Sequence, residues 1–276
     1  MKIHIIMHES FESPAAIADW AIKKGHDLSY SRVYAGEKLP KDTTELDFLI
    51  IMGGPQNPAT TIEECPHFNA AAEIDLIKDA IQRKKLVLGV CLGAQLIGEA
   101  YGVPFAHSPN KEIGVFPLTL TEAAKEDPIF SSFPQTFLVG HWHGDMPGIP
   151  AGAKLLAASE GCPRQVIAYE TGIYGFQCHF EFTPEAIEGM ITHCKKELDD
   201  LLGRPFVQSV EQLRKNEYAE MNHLLFTFLD QMENLCESRM RVRNHKTSFG
   251  TAYMHTVIDS TEKVSCSIAE PNYTKE

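Results

Sequence analysis

The chain has 276 residues, 43% of them hydrophobic, and carries a formal net charge of −12 at pH 7. That size and apolar content allow one large domain with an appendage and exclude global disorder. The acidic balance excludes the basic footprint on which nonspecific nucleic-acid binding depends.

The seven cysteines are an odd number with no C-x-x-C pair. They fit neither a disulfide framework nor a zinc ribbon, so a reducing, cytoplasmic setting is expected. The apolar run within Met1–His8 is too short for a signal peptide, and no stretch approaches the ~20 apolar residues of a membrane span.

The first two hundred residues alternate strand-like and helix-like segments. Lys2–His8 reads as a first strand, and Ser13-Pro14 as a cap and first-turn proline opening a helix toward Gly25. Leu28–Tyr34 is a second strand. Phe48–Met52 is apolar throughout, as in a strand covered on both faces, and it stops at Gly53-Gly54-Pro55. A helix is expected over Phe68–Lys85, where Ile74, Ile77 and Ile81 keep helical spacing. Leu86–Val90 is the next buried strand and Ala94–Tyr101 the helix after it. This alternation predicts a doubly wound, mostly parallel α/β sheet flanked by helices.

Short strands then follow over Val115–Thr121, Phe137–His143, Lys154–Ala158, Gln165–Tyr169 and Tyr174–Phe180. Thr183-Pro184-Glu185 announces a helix, with an apolar stripe through Leu198 and a stop at Gly203. Val210–Met240 reads as one long amphipathic helix, with Leu213, Met221, Leu225, Phe228 and Met232 on its apolar face. That stripe fits either the parent domain or a second copy of the chain, which makes a homo-oligomer one expectation. From Thr247 to Glu276 there is little periodicity, and a loosely held tail is expected.

Three short segments carry the chemistry. Gly89-Val90-Cys91-Leu92-Gly93 turns a buried strand into a helix. Such a turn exposes its central side chain, and the helix start favours a thiolate there. An isolated cysteine is more often a small hydrophobe, so the assignment needs a base elsewhere. Gln177-Cys178-His179-Phe180-Glu181 supplies one. On a strand, His179 and Glu181 would share a face, so the carboxylate could orient the imidazole that takes the Cys91 proton. By the same alternation Cys178 faces away, and Phe180 points outward. The Gly53-Gly54 turn exposes backbone N–H groups, and Gly54 and Leu92 could jointly receive the charge of an oxyanion.

His141-Trp142-His143-Gly144-Asp145 has the look of a metal site. Its three ligand types lie on one segment and lack a partner at recognisable spacing, so no metal is expected. No cofactor is expected either.

Met52-Gly53-Gly54-Pro55, the Cys91 turn with Gln95, and the His179-x-Glu181 segment together resemble the class I glutamine amidotransferase family. The likeness is to its free-standing members, similar to the glutaminase domain of GMP synthase. It covers residues 1–203, leaving 204–246 as a helical extension and 247–276 as the tail. The resemblance implies a Cys91–His179–Glu181 triad releasing ammonia from glutamine. It also implies substrate contacts from Gln95, Gly53, His143 and Gly144. Members often carry proline where Phe180 stands. No P-loop or pyrophosphatase loop is present, so a separate ammonia-accepting synthetase subunit is the implied partner. Two alternatives share these residues or this fold: a γ-glutamyl peptidase acting on γ-glutamyl compounds, and a regulatory or binding protein without turnover. No membrane partner is expected.

Overall fold

The computed structural model describes residues 1–259, with side chains through residue 241. Its strands are β1 (Lys2–Met7), β2 (Asp27–Arg32), β3 (Phe48–Ile51), β4 (Leu86–Val90), β5 (Ala106–Leu120), β6 (Thr136–Met146), β7 (Lys154–Ala158), β8 (Val166–Glu170) and β9 (Ile173–Phe176). The helices are α1 (Ala15–Lys23), α2 (Ala70–Gln82), α3 (Leu92–Ala100), α4 (Pro184–His193), α5 (Lys195–Leu201), α6 (Val210–Lys215) and α7 (Ala219–Asp259).

The strands form one sheet in the order β2-β1-β3-β4-β9-β8-β7-β5-β6. The first five run parallel and the remainder antiparallel. The expected mostly parallel α/β architecture is therefore observed, with a larger antiparallel wing than the short predicted strands suggested. β3 and β4 are buried along their whole length, as their unbroken apolar sequences require. β3, β4 and β9 are neighbours, so the segments leaving their C-terminal ends converge at one rim of the sheet.

Several boundaries differ from the sequence reading. Ser13 does not cap α1, which starts at Ala15 with Pro14 at the cap position and no side-chain cap. One free amide of that first turn is instead satisfied by a distant carbonyl, Ala16 N–H to Glu181 O at 3.2 Å. Thr183 does cap α4 as expected, accepting from Ala186 N–H. The helix expected to run on to Gly203 breaks at Cys194 into α4 and α5.

The single helix expected over Val210–Met240 is two. α6 ends at Asn216, whose ψ of 149° is extended, and α7 begins at Ala219. Residues 1–233 form one compact unit. Within it the apolar face of α7 covers the parent domain: Met221, Leu225, Phe228, Leu229 and Met232 are all buried. Phe228 packs against Phe130, Tyr174 and Phe176. The second unit begins at Asn234, and there α7 stays helical through Asp259, where little periodicity was expected. The rest of the expected tail, 260–276, lies outside the described residues. No helix of the described residues is long and apolar enough to cross a membrane.

Candidate active site

Cys91 joins β4 to α3 with φ 51° and ψ −106°. A non-glycine residue held there costs roughly 1–3 kcal/mol, and such strain persists only where the surroundings impose it. Here two glycines allow it. A Cβ at Gly89 would lie 2.3 Å from the Gly93 carbonyl, and one at Gly93 would lie 2.1 Å from the Ile51 oxygen. The Cys91 N–H is fixed by the Phe176 carbonyl at 2.7 Å. Its sulfur faces the Gln177 amide nitrogen at 3.4 Å and the Trp142 carbonyl at 3.9 Å.

β9 stops at Phe176, so His179 and Glu181 are not on a strand as alternation assumed. They sit on the loop that follows, pinned by an isolated antiparallel bridge: His179 N–H donates to Gly140 O at 2.8 Å and Gly140 N–H returns to His179 O at 3.1 Å. The pair nevertheless meets, with His179 Nδ1 2.6 Å from Glu181 Oε1, a short charge-assisted contact. The His179 ring also stacks on Phe182 with centroids 4.3 Å apart.

Burial alone would lower the His179 pKa. The Glu181 charge, the contact with Cys91 and the hydrogen bond from Glu181 outweigh it and raise the pKa to about 10. Nδ1 being taken, Nε2 makes no closed hydrogen bond and is the ring atom left for Cys91.

The Gly53-Gly54 turn is held from behind. His8 Nδ1 lies 2.9 Å from the Gly53 carbonyl, and His8 Nε2 lies 2.9 Å from Glu73 Oε2. A carbonyl can only accept, so Nδ1 carries a proton. Burial opposes a charge on this ring, but Glu73 and Gly53 raise its pKa. In a trans peptide the C=O and following N–H point oppositely, so fixing Gly53 O toward His8 turns the Gly54 N–H the other way. A Cβ at Gly54 would touch Leu92 Cδ2 at 3.1 Å, which places the two expected oxyanion donors side by side.

Glu12 was not singled out by sequence. A Cβ at Gly53 would lie 2.3 Å from Glu12 Oε2, 3.3 Å from Cys91 Cβ and 3.5 Å from His179 Cε1, so all three groups meet over this glycine. Desolvation pushes the Glu12 carboxyl up to about 7, against the opposing pull of His179 and His8. It lines one recess with Met52, Gly53, His179 and Glu181. The signal available was positional: Glu12 lies on the loop leaving the C-terminal end of β1, the edge where doubly wound sheets build sites.

Other expected residues are placed less directly. Gln95 is buried and donates to Gln177 Oε1 at 3.2 Å, so it reaches Cys91 through that amide, while its own Oε1 has no partner. His143 is buried and turned to Glu112 and Gln165. Gly144 is half-buried beside the Lys111 side chain. Asp145 pairs with His107 at 2.6 Å. The Cys178 thiol is fully buried against the Gln165 carbonyl, and burial pushes its pKa well up. Phe180, expected to point outward, is 1% exposed and packs on Phe176 and Phe137.

Residues 16–194 match the family described as glutamine amidotransferase class-I. The chain is 51% identical to the glutamine amidotransferase-like protein YfeJ of Salmonella typhimurium, a match covering 84% of this chain and 97% of that protein. It is 49% identical to the crystal structure of SMU.1228c, with a TM-score of 0.82 over 84% of this chain and all of that one. It is 35% identical to the glutamine-hydrolysing GMP synthase of Aquifex aeolicus, over 47% of this chain and 26% of that protein.

Proposed function

The chain belongs to the class I glutamine amidotransferase family, and from that premise we propose that it hydrolyses the side-chain amide of glutamine through a thioester on Cys91. The observation that carries the reading is the convergence of Cys91, the His179–Glu181 pair and the Gly53-Gly54 turn at one rim of the sheet. The family comprises glutamine-hydrolysing amidotransferases, of which the GMP synthase relative is one.

The reaction proceeds in two halves. The Cys91 sulfur attacks the amide carbon as thiolate, its proton held on His179 Nε2. The oxyanion is received by the Gly54 and Leu92 N–H groups, each of which is worth ~3 kcal/mol where such a donor has been removed. His179 gives its proton to the amide nitrogen, the C–N bond breaks and ammonia leaves. The neutral imidazole then takes a proton from water, whose oxygen attacks the thioester; the C–S bond breaks and glutamate departs. Glu181 keeps Nε2 aimed at the sulfur and supports the positive ring. Gly53 and Gly144 offer backbone to the substrate. The unpartnered Gln95 oxygen accepts from it, and His143 acts by holding the end of β6.

The ammonia goes to a separate synthetase subunit, since this chain carries no nucleotide-binding loop of its own. The test is ammonia release from L-glutamine by the wild type and by Cys91→Ala, with a γ-glutamyl dipeptide assayed alongside. The reading predicts turnover of glutamine that Cys91→Ala abolishes while the protein stays folded. Equal turnover by the variant sinks it, and turnover of the dipeptide alone moves the assignment to a γ-glutamyl peptidase.

A further inference from the structure

Behind the Cys91 site lies a second polar cluster, fully enclosed. Glu112 of β5 stands opposite His143 of β6 in the antiparallel register, and His141, two residues earlier, shares its face. Glu112 and His141 are 0% exposed and His143 is 4% exposed. Sequence spacing offered the two histidines no partner; the β5–β6 pairing supplies one, and Gln165 closes the group from the segment entering β8.

The four inward atoms are Glu112 Oε2, His141 Nδ1, His143 Nε2 and a Gln165 amide atom. The carboxylate oxygen is 3.6 Å from His141 Nδ1 and 3.3 Å from His143 Nε2, and the two ring nitrogens are 3.4 Å apart. The Gln165 amide atom is 2.6, 3.2 and 3.2 Å from these three. Four donors bound tetrahedrally at zinc-like bond lengths of about 2.0–2.1 Å stand about 3.3 Å from one another. The triangle formed by the glutamate and the two histidines has those dimensions.

The protonation pattern agrees. The outer nitrogens, His141 Nε2 and His143 Nδ1, are turned toward the carbonyls of Phe116 and Asp145, the arrangement that leaves the inner nitrogen of each ring with a lone pair. Neither outer nitrogen has a closed hydrogen bond. The centre therefore presents a carboxylate and two imidazole lone pairs. Among the described residues the only ion-pair partners of Glu112 are these two rings.

The Gln165 Nε2 faces four acceptors, the three above and Ser159 Oγ at 2.8 Å, with two hydrogens to give. Its Oε1 meanwhile has no partner. Amide oxygen and nitrogen are interchangeable assignments, and the exchanged amide brings a fourth oxygen to the same corner. A single cation satisfies what one amide group cannot.

We propose that Glu112, His141 and His143, with the Gln165 amide at the fourth corner, form a structural site for a borderline divalent metal of the zinc class. With four protein donors and no access for water it is closed, hence structural. It ties β5, β6 and the start of β8 together beneath Trp142, whose carbonyl faces the Cys91 sulfur. The proposal is independent of the glutaminase reading, since metal content is measured without any substrate.

The test uses untagged full-length protein, stripped with chelator, then unfolded and refolded with one equivalent of Co2+. The site predicts one cobalt per chain with the intense visible absorption of a four-coordinate ion, displaced by Zn2+. Glu112→Gln is expected to lose this stoichiometric binding. Anomalous scattering at the zinc edge from wild-type crystals grown with Zn2+ locates the ion without any substitution, in case the variant fails to fold. The expected peak lies between His141 and His143. Folded protein that takes up no stoichiometric Co2+ or Zn2+, unaltered binding in Glu112→Gln, or an anomalous peak elsewhere would overturn the proposal and leave the cluster a metal-free hydrogen-bond network.

Discussion

His8 and Glu73 meet at 2.9 Å with neither side chain more than 1% exposed, and the far side of the His8 ring holds the Gly53 carbonyl. An apolar core tolerates such a pair only when both partners are present. Removing one strands the other, and breaking a buried ion pair typically costs 3–5 kcal/mol. Glu73→Gln is expected to lower stability in urea by a few kcal/mol at pH 7. It should also lower kcat, because a loosened Gly53 lets the Gly54 N–H rotate away from the oxyanion. A variant with reduced stability and unchanged kcat would show that the turn orients itself.

The C-terminal helix braces the reactive loop. Asn222 Nδ2 donates to both the Phe180 and Phe182 carbonyls, at 2.8 and 3.0 Å, straddling Glu181. Asn222→Ala is expected to cost about 1–3 kcal/mol for the stranded carbonyls. It should lower kcat about tenfold with little change in KM, because a small misplacement of a reacting group is expensive. Urea unfolding and steady-state kinetics check both, and Asn222→Asp should fail to rescue, having no N–H to give.

The Glu12 carboxyl gives a pH signature. Its pKa rises from 4.5 to about 7 on folding. The folded protein therefore binds the extra proton more tightly, and stability attributable to this group falls as pH rises from about 4.5 to about 7. Glu12→Gln should gain stability relative to wild type across that window and hold the gain above it. It should also remove an inflection near neutrality from the kcat/KM profile. An unchanged difference between pH 4.5 and 8 in thermal unfolding would contradict the shift.

Gly93 is expected to tolerate no side chain. A Cβ there lies 2.1 Å from the Ile51 backbone oxygen, which cannot rotate away as a side chain could. Gly93→Ala should destabilise by at least the ~1–3 kcal/mol of ordinary overpacking and shift the strained Cys91 turn. Its urea midpoint, set beside that of a Gly25→Ala control at an exposed turn, measures the difference.

Much of this fold was legible because its signals are local. β3 and β4 are unbroken apolar runs, and Thr183-Pro184-Glu185 is a complete helix start. The Cys91 turn could be read because two glycines and a nucleophile sit within five residues. The pairing of His179 with Glu181 was reached for a partly wrong reason, since a loop and the Gly140 bridge, not strand alternation, bring them together. Glu12, His8 and Glu73 were missed because each acts through residues 40 to 170 positions away. The break at Asn216 was missed because the apolar stripe continues across it, and periodicity alone does not register a short extended interruption.

The central claim is that Cys91 is the acyl-forming nucleophile, and labelling tests it most directly. Wild-type protein is incubated with a chloroketone analogue of glutamine, with and without excess L-glutamine, and the modified peptide is identified by mass spectrometry. The account predicts one adduct per chain, on Cys91, suppressed by glutamine and absent from Cys91→Ala. A label on another cysteine, or folded wild-type protein that takes up none while releasing ammonia from glutamine, would contradict it.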